Sequence, residues 1–164
     1  MNALFQVLLG LSFAIFSLAC VADNMQFTGT LLARPVCAVS DKGRRIDVSF
    51  GNLAVSRIDG ERYLKPIPYQ ISCPGAVIGA SWRMRLTLKG VPAVFEPKAL
   101  QSSVSDLGIK LMLGGTELIP NQPRYIQVIP TALPLLEAVP IKLAGSDLPS
   151  IDFYASALLL AEFY

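Results

Sequence analysis

The chain has 164 residues, 52% of them hydrophobic and 16% charged, with a formal net charge of +2. That is enough for one domain with a real core and short for two. So small a basic surplus does not suit a nucleic-acid binder. The absence of histidine removes the usual Ser-His-Asp and Cys-His relays and the commonest zinc ligand.

Residues 1–22 carry no charged side chain, and Leu4 to Ala19 is almost wholly apolar. With Cys20-Val21-Ala22 supplying small residues at the end, this reads as a secretory signal peptide cut after Ala22. A retained membrane anchor and a lipoprotein signal ending at Cys20 are the other readings, the apolar run being just long enough to span. The next stretch, DNMQFTGTLLARPVC, covers Asp23 to Cys37. Apolar and polar residues alternate through it, with Met25, Phe27 and Leu31 on one side and Gly29 among them. Such a strand has one face ready for burial, in the chain's own sheet or in a neighbour's.

An export signal leaves two cysteines, Cys37 and Cys73. An even pair in an exported protein reads as one disulfide, with two buried free thiols as the alternative. Their separation is far too long for a CxxC redox motif. Short strands and turns follow. RIDVSF places Ile46, Val48 and Phe50 on one face and Asp47 and Ser49 on the other. LAVSRI leads to an Asp59-Gly60 turn. IPYQISC sets Ile67, Tyr69, Ile71 and Cys73 together, and Pro66 and Pro68 argue for a sheet edge at its start. SWRMRLTLKG puts Trp82, Met84, Leu86 and Leu88 toward the core and Arg83, Arg85, Thr87 and Lys89 toward water. LGIKLML is a further strand, closed by Gly114-Gly115. Pro120, Pro123, Pro130, Pro134, Pro140 and Pro149 exclude long helices from the last third, but YIQVI and VPIKL fit short strands. FYASALLLAEFY closes the chain and is apolar on both faces, so cover is expected on both sides.

About seven short strands and one disulfide indicate a β-sandwich of immunoglobulin type, with a small closed barrel as the competitor. The carboxylates are scattered and suggest no acid–base pair, and no glycine-rich phosphate loop is present. The expected class is therefore not an enzyme, with no cofactor, no metal site, no small-molecule substrate and no nucleic acid. Lys42, Arg44 and Arg45, and the trio Arg83, Arg85 and Lys89, read as a turn and as the wet face of a strand.

The chain thus begins with a spare strand and ends with a core strand whose edge wants a neighbour. Two copies could satisfy each other head to tail by strand addition. MQFTGTLLARPVC at one end and FYASALLLAEFY at the other resemble the pilin subunits of the bacterial chaperone–usher pathway, of the type 1 and P pilus kind. The Cys37–Cys73 spacing, IDVSFGNL and SDLGIKL resemble them too, so the likeness spans the mature chain.

The resemblance implies an incomplete immunoglobulin-like sandwich that lacks its last strand and is completed by a donor strand. It divides the chain into a signal peptide (1–22), an N-terminal donor-strand extension (23–36) and a pilin domain (37–164). Met25, Phe27, Gly29 and Leu31 would enter a neighbour's groove, Gly29 where no side chain fits. Phe153, Ala155, Ala157, Leu159, Ala161 and Phe163 would form the strand beside the groove, with the Tyr164 carboxylate held by a periplasmic chaperone. Partners implied are that chaperone, an outer-membrane usher and other pilins, in a fimbrium on the cell surface that serves adhesion. A tip adhesin carries an additional receptor-binding domain, for which there is no room. FTGTLLARP is more like minor subunits than like a rod pilin, so an adaptor or tip-fibrillum subunit is expected. A terminator and a self-complete secreted immunoglobulin-like binding module are the alternatives.

Overall fold

A computed structural model describes residues 25–31, 37–75, 82–129 and 132–163. The chain divides into two compact units, Met1–Ala33 and Arg34–Tyr164. The expected signal peptide, the ends of the expected extension and Tyr164 lie outside the described residues, as does the side chain of Trp82. In the first unit, residues 25–31 have no regular secondary structure and their side chains are exposed.

The described residues of the second unit form ten strands: β1 (Ala38–Ser40), β2 (Lys65–Pro66), β3 (Gln70–Ser72), β4 (Trp82–Lys89), β5 (Ala99–Gln101), β6 (Leu107–Leu113), β7 (Thr116–Glu117), β8 (Pro123–Val128), β9 (Leu136–Lys142) and β10 (Leu158–Phe163). The helical structure among the described residues is a single 3-10 turn, Val55–Arg57, where LAVSRI had been expected to extend. The strands form three ladders: β1-β3, β10-β4-β8 and β2-β9-β6-β5, with β7 also on β6. All the pairings are antiparallel. The sheets do not close, so the fold is the expected sandwich and not a barrel.

Period-two alternation decides which side chains meet in the middle. Met84, Leu86 and Leu88 of β4 and Ala161 of β10 form one wall; Ile109, Leu111 and Leu113 of β6 and Leu136 and Ala138 of β9 form the other. Gly114 and Gly115 both have positive φ, at 56° and 75°. They make the two-residue turn that swings β6 into β7, with Leu113 opposite Thr116. Pro140 lies within β9, but β2 reaches no further than Glu137 and Ala138, so β9 has a partner on one side at that point and tolerates a missing N–H.

Cys37 and Cys73 form a disulfide with a sequence separation of 36. It ties the start of β1 to the end of β3 next to the Ala38–Ser72 pair. Closing a loop of that length contributes ~4 kcal/mol in the chain-entropy account.

Three sequence expectations change. RIDVSF is not a ladder strand: Ile46, Val48 and Phe50 are half-buried and their neighbours exposed, yet the backbone of 45–50 makes no hydrogen bond to the described residues. Alternation sets side-chain burial, whereas a ladder needs a partner strand. Thr87, expected to face water, is 6% exposed, because Leu160 and Pro123 flank it on the neighbouring strands. The closing segment is not covered on both faces. Only Leu158–Phe163 is strand, and Leu158 is 58% exposed.

Candidate functional site

The site is defined by a strand at a sheet edge and by a stretch of backbone with no strand partner among the described residues. The first is β10. It pairs with β4 along its whole length, from Leu158 opposite Lys89 to Phe163 opposite Met84. In the sheet order β10-β4-β8 it stands at the edge, with no strand on its outer side among the described residues. The second is 45–50, which has no regular secondary structure and makes no backbone hydrogen bond to the described residues. β1, just before it, lies beside β10, and the rings of Phe50 and Phe153 stack with centroids 6.2 Å apart.

The side chains around this gap are apolar. Leu159, Ala161 and Phe163 alternate with outward Leu158, Leu160 and Glu162, as the register with Met84, Leu86 and Leu88 requires. Ala161 is 5% exposed, while Leu159, Phe163 and Phe153 are half-buried against the same core. From the other side come Val39, Ile46, Val48 and Phe50, also half-buried against that core. The result is a row of partly wet hydrophobic side chains beside a sheet edge that has no further strand among the described residues. An edge of that kind is the chemistry that strand addition uses.

The opposite edge of the same sheet, β8, is guarded. It begins with Pro123, which has no N–H to offer. Arg124 projects on the core-facing side opposite Leu86 and donates from its guanidinium to the Glu117 carbonyl at 3.4 Å. Proline and an inward charge are devices that prevent edge-to-edge pairing. β10 has neither. Its charged residue, Glu162, faces out and pairs with Arg85 of β4 at 2.8 Å, and the hydrogen bond from Arg85 to that carboxylate holds the guanidinium pKa above its ordinary value.

Of the residues expected beside the groove, Phe153, Leu159, Ala161 and Phe163 are brought together. Ala155 and Ala157 are exposed and precede the strand. Their stretch is fastened to the 102–106 loop: the Tyr154 N–H donates to Ser103 Oγ at 3.1 Å, and the Ser103 N–H donates to the Tyr154 carbonyl at 2.8 Å. The facing wall at Val39, Ile46, Val48 and Phe50 was missed as a site. The alternation in RIDVSF marked its buried face, but nothing local shows that its backbone stays unpaired. In the Met1–Ala33 unit, Met25 is 66% and Phe27 85% exposed, Leu31 is fully exposed, and Gly29 has open space around it. Of the run Lys42, Arg44 and Arg45, read as a turn, Lys42 and Arg44 do sit at one, with reciprocal backbone hydrogen bonds between Asp41 and Arg44. No cluster of three or more metal-ligating side chains occurs among the described residues.

Comparison with known proteins agrees with this geometry. A model of the family described as "Fimbrial protein" matches residues 25–163. The fimbrial-like protein YfcQ of Escherichia coli (strain K12) is 34% identical over 164 residues, covering 99% of both chains. YfcR of the same strain, also fimbrial-like, is 24% identical over 134 residues, covering 80% of this chain and 75% of its own. Among solved structures, the P pilus rod subunit PapA superposes with a TM-score of 0.58 at 18% identity, covering 85% of this chain and 99% of that one. The P pilus adaptor subunit PapF gives 0.55 at 23% identity, covering 80% and 98%; these two show the shared fold. With the family match spanning nearly the whole chain and a relative this similar over its full length, the protein belongs to the fimbrial protein family, the pilins of chaperone–usher fibres.

Proposed function

We propose that this chain is a minor, adaptor-type pilin that polymerises by donor-strand exchange and so contributes to a fimbrium used in adhesion. The signal at 1–22 exports it. A periplasmic chaperone lends a strand to the cleft beside β10 and holds the Tyr164 carboxylate. At the outer-membrane usher, the extension of the next subunit replaces that strand. This chain's own extension, 23–36, enters a neighbour through Met25, Phe27, Gly29 and Leu31. The observation that carries the reading is the outer edge of β10, which has no strand partner among the described residues, together with Ile46, Val48 and Phe50 of a stretch outside the ladders, half-buried against the same core.

The test is expression of residues 23–164 in a bacterial periplasm with and without a cognate pilus chaperone. Alone, the chain is expected to aggregate or be degraded; with the chaperone it is expected as a one-to-one complex. A peptide of this chain's residues 23–32 should displace the chaperone from the partner subunit it feeds, and Gly29→Leu in that peptide should abolish displacement, because a tight groove does not admit the added volume. A stable, cooperatively folding lone monomer would sink the proposal in favour of the self-complete binding module. A chaperone complex that no donor peptide resolves would indicate a terminator.

A further inference from the structure

The trio Arg83, Arg85 and Lys89 is left without a role by strand exchange. All three point out of the sheet, because Met84, Leu86 and Leu88 between them point in. The register places the rest of that surface. Tyr125 lies opposite Arg85 and Gln127 opposite Arg83 on β8; Leu158 lies opposite Lys89, Leu160 opposite Thr87 and Glu162 opposite Arg85 on β10. Three cations therefore share one face with one carboxylate, and that carboxylate is committed to Arg85 at 2.8 Å. The surplus on this single face equals the formal +2 of the entire chain. Arg83 and Lys89 are exposed and have no acidic partner among the described residues.

We infer that this outer face of β10-β4-β8 binds an acidic polysaccharide, a sugar chain bearing carboxylate or sulfate groups, laid along β4. Arg83 and Lys89 are six positions apart on one strand, about 20 Å at strand rise, which suits an extended polyanion and not a single small ion. A free guanidinium takes a carboxylate or sulfate through two parallel hydrogen bonds. Beside the cations the surface carries the Tyr125 ring, 56% exposed, a face on which a sugar ring can stack. A lipid surface would call for protruding apolar side chains across the whole face, whereas Leu160 is half-buried and the exposed Leu158 stands at one end, opposite Lys89. The face is the opposite side of β10 from Leu159 and Ala161, so it stays available when the cleft is filled. The inference rests on membership of a surface-fibre family and not on strand exchange.

The test uses the full secreted chain, carried with whatever strand completes it, on immobilised heparin, on neutral dextran and on vesicles containing an acidic phospholipid. Binding to heparin and not dextran is expected, weakening steeply between ~50 and ~300 mM salt. Arg83→Gln with Lys89→Gln should lower heparin affinity about tenfold, and Arg83→Lys alone should keep most of it. The control removes the same charge elsewhere, with Arg57→Gln and Lys65→Gln, and should leave affinity near wild type. Equal loss in both doubles would reduce the effect to net charge and overturn the inference. So would retention on acidic vesicles without heparin binding, or no retention at all. Unchanged protease resistance of each variant shows that its fold is intact; if the double variant misfolds, Lys89→Gln alone should still weaken binding.

Discussion

Glu117 accepts from Lys110 Nζ at 3.0 Å and Lys98 Nζ at 3.1 Å, which joins β6, β7 and the residue just before β5 through one carboxylate. The hydrogen bond from Lys110 first, then that from Lys98, holds its pKa below the ordinary 4.5. A carboxyl depressed on folding stabilises the protein above its unfolded pKa, and that contribution disappears as pH falls through the folded value. Glu117→Gln is therefore expected to reduce stability near pH 7 and change it little near pH 3, flattening the acid limb; denaturant midpoints of the donor-completed chain at the two pH values check it. The Arg85–Glu162 pair is a weaker device. Both side chains are more than 40% exposed, and solvent screening leaves such a pair little net stabilisation. A double-mutant cycle with Arg85→Ala and Glu162→Ala should return only a small coupling, smaller still at high salt. Ala161 is different in kind. It is buried where the final strand meets the core, so Ala161→Asp would place a charge beside Leu86, and both folding and donor acceptance should fail, read as loss of the chaperone complex.

At the scale of elements, the contrast between the two edges of one sheet carries most of the meaning. β8 is closed to pairing by Pro123 and the inward Arg124; β10 is open. Replacing both guards, Pro123→Val with Arg124→Thr, should leave the donor-completed subunit folded but raise its tendency to self-associate, measured by light scattering against concentration. The disulfide acts on a different element, holding β1 to β3. Cys37→Ser with Cys73→Ser should cost about 2–5 kcal/mol, seen as loss of recoverable chaperone complex. Much of this was legible in the chain. β4, β6 and β9 follow alternation or short apolar runs bounded by turns, and these face the core whichever strand they pair with. What stayed hidden depends on residues distant in sequence. The burial of Thr87 follows from Pro123 and Leu160 on its two neighbours. RIDVSF carries a strand's pattern without a strand's hydrogen bonds, since pattern records burial and says nothing of pairing. FYASALLLAEFY, apolar on both sides, suggested double cover, whereas Leu158 is left in solvent. The pairing of Arg85 with Glu162, 77 residues apart, has no local signature at all.

For the molecule as a whole, the proposal separates giving a strand from receiving one. The alternating side chains of 25–31 belong to the Met1–Ala33 unit and the cleft beside β10 to the Arg34–Tyr164 unit. The two functions should then be lost independently. A chain lacking residues 23–32 should still fold with its chaperone and still receive a donor peptide, because β10, 45–50 and the disulfide are untouched. It should fail to enter a partner's groove. A chain carrying Leu159→Asp should show the reverse: its extension, offered as a peptide, still displaces a chaperone from the partner, while its own cleft takes up no donor. Mixed separately with the fibre neighbour on each side, the truncated chain should join only the neighbour that donates to it and the Leu159→Asp chain only the neighbour that accepts from it, each read on a non-dissociating gel. Wild-type chain meeting its fibre neighbours should go on to longer oligomers. If the truncated chain loses its fold together with its donor function, the extension is part of the chain's own sheet, and the opening and closing segments form one sandwich and not two halves of a joint.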